Sequence, residues 1–224
     1  MEYKQIISDH PELFSNTGPL KIIMDETEVN TWQKTRALQT DHPGEWDQIG
    51  IVLNDPYFIV MRDLVEFPDG SRRGYSRLIN RASLEESTGV AILPVINNQV
   101  VLLHQYRHST RSWHYEIPRG YGEIGLTAEE DARKELMEEI GASVARLVPL
   151  GMLHTNSGLV CDPVSLFFAE LSSLGEPETL EGIDSYALLN LQELEDWICS
   201  GKINDGFTIA AYARAKLHKL LGNS

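Results

Sequence analysis

Cysteine is scarce, with only Cys161 and Cys199 among 224 residues. That excludes a disulfide framework and a CxxC metal pair, and gives no sign of an oxidising compartment. Both cysteines are expected as small buried residues. Positive charge is also short: Lys and Arg number 19 against 33 Asp and Glu, a formal charge of −14. Contact with a phosphate backbone or an anionic membrane is carried by clustered Lys and Arg, so neither nucleic acid nor membrane is expected as a partner. No stretch approaches the ~18 consecutive apolar residues that span a bilayer. The opening MEYKQIISDHPELF lacks the basic flank and apolar run of a secretory signal, so a cytoplasmic location is expected. Internal repeats and low-complexity segments are absent too.

What is present is a soluble globular composition, 42% apolar and 23% charged, with length for a sizeable core. Residues 1–45 are polar and broken at His10-Pro11, Gly18-Pro19 and Pro43-Gly44, which reads as an N-terminal arm or an extra layer. From Trp46 the texture becomes β-rich: IGIVL, YFIVMRDLVEF and RGYSRLIN, with Pro68-Asp69-Gly70 as hairpin-turn chemistry between the last two. The apolar run 89–96, the Asn97-Asn98 turn and the strand 100–106 read as central strands. Further strands are expected at 147–154, 164–171 and 186–189. A helix should follow Asn190 with Leu191, Leu194 and Ile198 on one side. The last helix, 205–221, should bury Ile209, Ala213, Leu217 and Leu220. Trp46, Trp113 and Trp197 read as core, and His154 as a structural residue.

Between these lies a helix with clear ends. Thr127 and Glu130 form a capping-box pattern, Gly141 is a C-terminal stop, and Ala132, Leu136 and Ile140 make the apolar stripe. Just before it, Gly120, Gly122 and Gly125 satisfy the GxGxxG pattern of a dinucleotide site. Pro118 interrupts the approach, however, and Glu139, the acid about 20 residues on, falls inside the helix, so the context is wrong. At about 100° per residue, Glu135, Glu138 and Glu139 fall within roughly 100° of one another, beside the apolar stripe. A lone helix with that face would read as a solvated acidic surface.

The surrounding stretch, EIPRGYGEIGLTAEEDARKELMEEIGA, resembles the Nudix box, Gly-x5-Glu-x7-Arg-Glu-U-x-Glu-Glu-x-Gly-U with U aliphatic. Gly120, Glu135, Leu136, Glu138, Glu139, Gly141 and Ala142 match. Leu126 stands at the first box glutamate and Lys134 at the arginine, two positions that form a bracing salt bridge in the family. The resemblance extends over residues 46–221. It points to the ADP-ribose pyrophosphatase branch through Gln105-Tyr106-Arg107, the EIPRG segment and the Gly201–Asp205 junction, although Asn156-Ser157-Gly158 stands where a Ser-Pro-Gly is frequent.

The resemblance implies an α/β fold, an α/β/α sandwich on a mixed sheet, preceded by an N-terminal β-rich domain. The boundaries would be 1–45 for the arm, 46–86 for a β-rich dimerisation domain and 87–224 for the Nudix hydrolase domain. It implies Mg²⁺-dependent hydrolysis of a nucleoside diphosphate linked to another moiety, such as ADP-ribose or a nucleotide sugar, with Mn²⁺ as the alternative ion, by a homodimer. Oxygen donors beside a loop carbonyl suit such hard cations. By resemblance, Glu135 and Glu139 are the main metal ligands, Glu138 is a ligand or the base, and the backbone oxygen of Arg119 completes the set. Arg107 and Arg119 would face the substrate. Glu181 is the loop candidate for the general base, with Glu178 and Asp184 as neighbours. The rival class is a Nudix-fold module that binds a nucleotide without cleaving it, suggested by Leu126 and Lys134.

Overall fold

The computed structural model describes residues 2–39, 41 and 43–222. The chain separates into two compact units: one takes the chain through Glu85 together with Asn156–Asp162, and the other takes Glu86–Thr155 and the chain from Pro163 onward. No helix among the described residues is long and apolar enough to cross a membrane.

The first unit is built on strand β3 (Phe58–Glu66), which pairs antiparallel along its whole length with β4 (Arg72–Asn80). Its other edge is shared by β1 (Lys21–Ile23) and β2 (Gly50–Asn54). The β3–β4 connection is the turn expected at Pro68-Asp69-Gly70: Gly70 has φ 78°, and the Asp69 carboxylate accepts the Ser71 N–H at 2.9 Å. The described residues at the start of the chain pack as an extra layer on this unit and not as a separate arm. Helix α1 (Tyr3–Asp9) and the short turn after it bury Ile6 and Phe14 with Ile59, Met61 and Ile79. The Tyr3 hydroxyl donates to Asp63 Oδ1 at 2.5 Å, and Asp63, 1% exposed, pairs with Arg77 Nε at 2.6 Å. Helix α2 (Glu26–Gln39) buries nothing, so no apolar stripe announces it in the sequence. Asn156–Asp162 joins this unit through the Asp162 carboxylate, which accepts Asn80 N–H at 2.6 Å and the Ser83 hydroxyl at 2.5 Å.

The second unit is a mixed seven-stranded sheet between helices. Along its spine run β11 (Ile183–Leu189), β6 (Gln99–Arg107), β5 (Val90–Ile96), β10 (Val164–Ser173) and β9 (Ser143–Leu153), with β7 (Ser112–Glu116) on β6 and β8 (Arg119–Gly120) on β5. The β5–β10 pair is parallel and the others antiparallel. The apolar runs of β5, β6 and β10 are continuous because both faces are covered. Val90, Ile92, Val101, Leu103, Phe167 and Ala169 pack with helix α3 (Ala128–Ile140) through Ala132, Leu136 and Ile140. The alternate residues Ala91, Leu93, Leu102, Leu166 and Phe168 pack with helices α4 (Leu191–Cys199) and α5 (Gly206–Leu217).

The structure departs from the sequence expectations at four places. Helix α5 buries Thr208, Ala211 and Ala215, not the stripe through Ile209, Ala213 and Leu217, the last of which is 81% exposed. Small side chains let that helix approach the sheet closely, and a reading weighted towards large aliphatics misses this phase. Trp46 and Trp113 are exposed, Trp113 stacking on His104 at 4.7 Å, whereas Trp197 packs at the core margin against Tyr115. Cys161 is half-buried and Cys199 exposed, since Cys199 ends helix α4 on its outer side. His154 is exposed just beyond β9.

Candidate active site

Helix α3 begins where its sequence says it should. Thr127 accepts the Glu130 N–H and Glu130 accepts the Thr127 N–H, a complete capping box, and Gly141 closes the helix in the left-handed region at φ 59°. Upstream, the Ile92 N–H donates to Pro118 O at 2.9 Å, and Val90 and Ala91 pair with Gly120 and Arg119. Strand β8 is thereby pinned against the sheet next to the helix. A Cβ at Gly120 would overlap the Glu135 carboxylate, so glycine is what lets that carboxylate lie against the backbone.

Between β8 and α3 the loop is tied at two points. Buried Asp131 accepts the Glu123 N–H at 3.1 Å, and Lys134 Nζ lies 2.5 Å from Glu123 Oε2 and 3.6 Å from Glu138 Oε1. Glu123 therefore supplies the loop-to-helix ion pair that Leu126 cannot, while Leu126 itself is half-buried.

Glu135 is half-buried and Glu139 is 3% exposed, one helical turn apart. Burial pushes the Glu135 carboxyl up to about 7, with help from the neighbouring Glu138 charge. Burial likewise pushes Glu139 up to about 8, with help from the charges of Glu135 and Glu181, opposed by Arg107. Glu138 stays on the exposed side of the helix beside Lys134. Arg119 donates its backbone N–H to Glu139 Oε2 at 3.2 Å, which sets the residue beside that carboxylate.

Glu181 is exposed on the loop after β10, and its charge acts on both Glu135 and Glu139. That loop is fastened at both ends. The Gly175 and Glu178 N–H groups donate to the Ile140 and Glu139 carbonyls at 2.9 and 2.8 Å. Gln105 Nε2 donates to Glu181 O at 3.1 Å, and the Tyr106 N–H donates to Gly182 O at 2.9 Å. The two neighbouring candidates are engaged elsewhere: Glu178 accepts the Leu180 N–H, and Asp184, at the start of β11, holds His104 Nδ1 at 2.8 Å.

Arg107 and Arg119 meet on a residue that sequence reasoning missed. Glu116, buried at the end of β7, accepts from Arg107 Nε through Oε1 and from Arg119 Nη2 through Oε2 at 3.2 Å. Arg119 also lies 3.9 Å from Asp205 Oδ1 and 4.8 Å over the Phe207 ring. Gln105 and Glu116 stand within the motifs that singled out the arginines, but nothing in their spacing shows that they point inward.

Chemically, the cluster is rich in carboxylate oxygens. Among the described residues no three His, Cys, Asp or Glu side chains converge as a ready ligand set. The donors on offer are the Glu135 and Glu139 carboxylates beside Arg119, which fits a hard divalent cation that keeps several waters and completes its shell with substrate oxygens. The raised carboxyls also fix a pH dependence. Folded Glu135 and Glu139 hold protons that the unfolded chain releases near 4.5, so their contribution to stability is full below that pH and is lost as pH rises through about 7 to 8. Thermal melts in EDTA are expected to show a lower Tm at pH 8.5 than at pH 5, with Mg²⁺ narrowing the gap. A Tm that is higher at pH 8.5 in EDTA would contradict this picture of the cluster.

Comparison with known proteins agrees with that chemistry. The NUDIX domain profile matches residues 86–206. A methanol dehydrogenase activator of Bacillus methanolicus is 27% identical over 165 residues, covering 71% of this chain and 85% of that protein. An ADP-ribose pyrophosphatase of Escherichia coli K12 is 25% identical over 159 residues, covering 64% and 74%. Among solved structures, that of an ADP compounds hydrolase superposes with a TM-score of 0.66 at 22% identity, covering 76% of this chain and 90% of that one, a likeness of fold. The profile match takes in more than half of the sequence, and on it the chain belongs to the NUDIX domain family, as a Nudix hydrolase of the ADP-ribose pyrophosphatase-like kind.

Proposed function

We propose that this protein hydrolyses the diphosphate bond of a nucleoside diphosphate linked to another moiety, with ADP-ribose the first candidate substrate and nucleotide sugars the second. The observation that carries the reading is the pair of Glu135 and buried Glu139, one turn apart on α3 and within reach of the Glu181 charge, beside two arginines gathered on one buried carboxylate. Glu135 and Glu139 with the Arg119 backbone oxygen would hold Mg²⁺, or Mn²⁺ in its place. When bound, such an ion offsets diphosphate charge and favours ionisation of a water. Glu181 would take the proton from the attacking water, with Glu138 as the nearest alternative or as a further ligand. Arg107 and Arg119 would bind the diphosphate oxygens. Attack on phosphorus breaks the bond to the bridging oxygen, so ADP-ribose and water give AMP and ribose 5-phosphate. The Glu123–Lys134 pair favours this over a binding-only module, because the loop-to-helix tie that Leu126 and Lys134 put in question is made. Incubation with Mg²⁺ and a panel of nucleoside diphosphate derivatives, with products identified by mass, tests the substrate class.

The same reading places the protein in the cytoplasm as a homodimer. Val52, Leu53 and Tyr75 on the first unit's strands are exposed, which suits a surface covered by a second copy. Light scattering at micromolar concentration is expected to return about 50 kDa, twice the chain's 25.2 kDa. A value of 25 kDa would rule the dimer out.

A further inference from the structure

Glu116 is a carboxylate that a fold has little reason to bury. It is 1% exposed, and burial raises its pKa, with Arg119 and Arg107 opposing the rise. Stability is a poor explanation for such a group, because ion pairs taken out of water rarely gain more than a well-packed apolar replacement would supply. Its geometry is more informative. Each carboxylate oxygen takes a different arginine, Oε1 from Arg107 Nε and Oε2 from Arg119 Nη2, so one side chain orients two guanidinium groups drawn from different strands. Both arginines are left with donors to spare. Arg107 Nη2 is buried and has no hydrogen-bond partner, and the Arg107 charge reaches Glu139. A buried, unpaired guanidinium N–H beside an acidic cluster is costly until an anionic oxygen arrives. Arg119 is steadied further by Asp205, the N-cap of α5, and by the Phe207 ring.

We infer that Glu116 is a positioning residue: it fixes Arg107 and Arg119 so that their free N–H groups receive the diphosphate oxygens of the substrate. This rests on the assignment of those arginines to the diphosphate in the proposed function. Loss of the carboxylate removes no group that would touch the reacting atoms, so it should weaken binding and spare the chemical step.

The test uses the full chain with saturating Mg²⁺. Glu116→Gln is expected to raise KM for ADP-ribose, and the calorimetric Kd for ADP, by about tenfold or more, the scale of one charge-assisted hydrogen bond, with kcat within about threefold of wild type. Added to Arg107→Met, the same substitution should weaken ADP binding by less than about threefold further, because much of its effect passes through that arginine. Glu116→Asp keeps the charge but is one methylene shorter; with far-UV circular dichroism to confirm folding, it should show a smaller rise in KM in the same direction, and it carries the test if Glu116→Gln does not fold. Unchanged KM and ADP affinity in a folded variant, or full additivity with Arg107→Met, would overturn the inference. If wild type binds ADP but cleaves nothing, the hydrolase reading fails while the ADP affinities still decide the role of Glu116. No ADP binding by wild type would overturn the inference, while the hydrolase reading is decided separately by product from the diphosphate panel.

Discussion

Glu139→Gln is expected to lower kcat at least about a hundredfold, as loss of a charge-neutralising ligand should, without weakening the metal-free fold. Glu139 is the most buried of the box glutamates, and its charge is opposed by Glu135 and Glu181. Glutamine keeps the size and removes that repulsion. Above about pH 8 the variant should therefore melt no lower than wild type in EDTA, whereas the rise in Tm on adding Mg²⁺ should shrink or vanish. Activity measured across Mg²⁺ concentrations checks the first part and thermal melts the second. Near-wild-type turnover in saturating Mg²⁺ would remove Glu139 from the site. A large loss of stability in EDTA would show that the residue is structural.

Glu181→Gln is expected to give a comparable loss of kcat by a different route. Its backbone oxygen is held by Gln105 and the next carbonyl by the Tyr106 N–H, so the substitution changes the carboxylate and leaves its support in place. A general base contributes about 10²–10⁴-fold, so kcat should fall at least about a hundredfold while Kd for the nucleotide in Mg²⁺ moves by less than about threefold. The paired measurement is informative because the loop is fastened to the helix carrying Glu139, through Gly175 and Glu178, and does not swing in as a free lid. If kcat is unchanged, the base moves to Glu138. A parallel loss of affinity would instead make Glu181 a metal ligand.

How far this was readable from sequence depends on where the determining partners lie. Helix α3 was legible because its stop and start signals are local: Thr127 with Glu130 at one end, Gly141 at the other, and the apolar stripe between. The central strands were legible because β5 and β6, covered on both faces, need unbroken apolar runs. Strand β7, Ser-Trp-His-Tyr-Glu, does alternate polar and aromatic residues but is only five residues long, too short a pattern to stand out, and the inward face of α5 is hidden because two alanines and a threonine carry its contact. For 1–45 the sequence leaves an arm and an extra layer both open, because burial there rests on scattered residues, Ile6 and Phe14, and on a Tyr3–Asp63 hydrogen bond spanning 60 positions.

The candidate site divides in the same way. Glu135, Glu138 and Glu139 share one helix, so their common face follows from residue spacing. The repulsion of Glu135 and Glu139 by the Glu181 charge and the anchoring of Glu181 by Gln105 are long-range facts that pairing and chain reversal create, and even the nearby grip of Glu116 on two arginines depends on how β6, β7 and β8 pair. Glu123 as the partner of Lys134 lies between these cases. The two residues are 11 positions apart across a loop of open geometry, so only the fold brings them together.

The central claim is that this carboxylate cluster cleaves a nucleoside diphosphate. Mass analysis of wild-type protein incubated with ADP-ribose and Mg²⁺, beside the same mixture in EDTA, tests it most directly. The account predicts AMP and ribose 5-phosphate in equal amounts with Mg²⁺ and neither in EDTA. ADP-ribose that binds tightly in Mg²⁺ and is recovered whole, with no product from any other diphosphate in the panel, would contradict it and leave a nucleotide-binding module in its place.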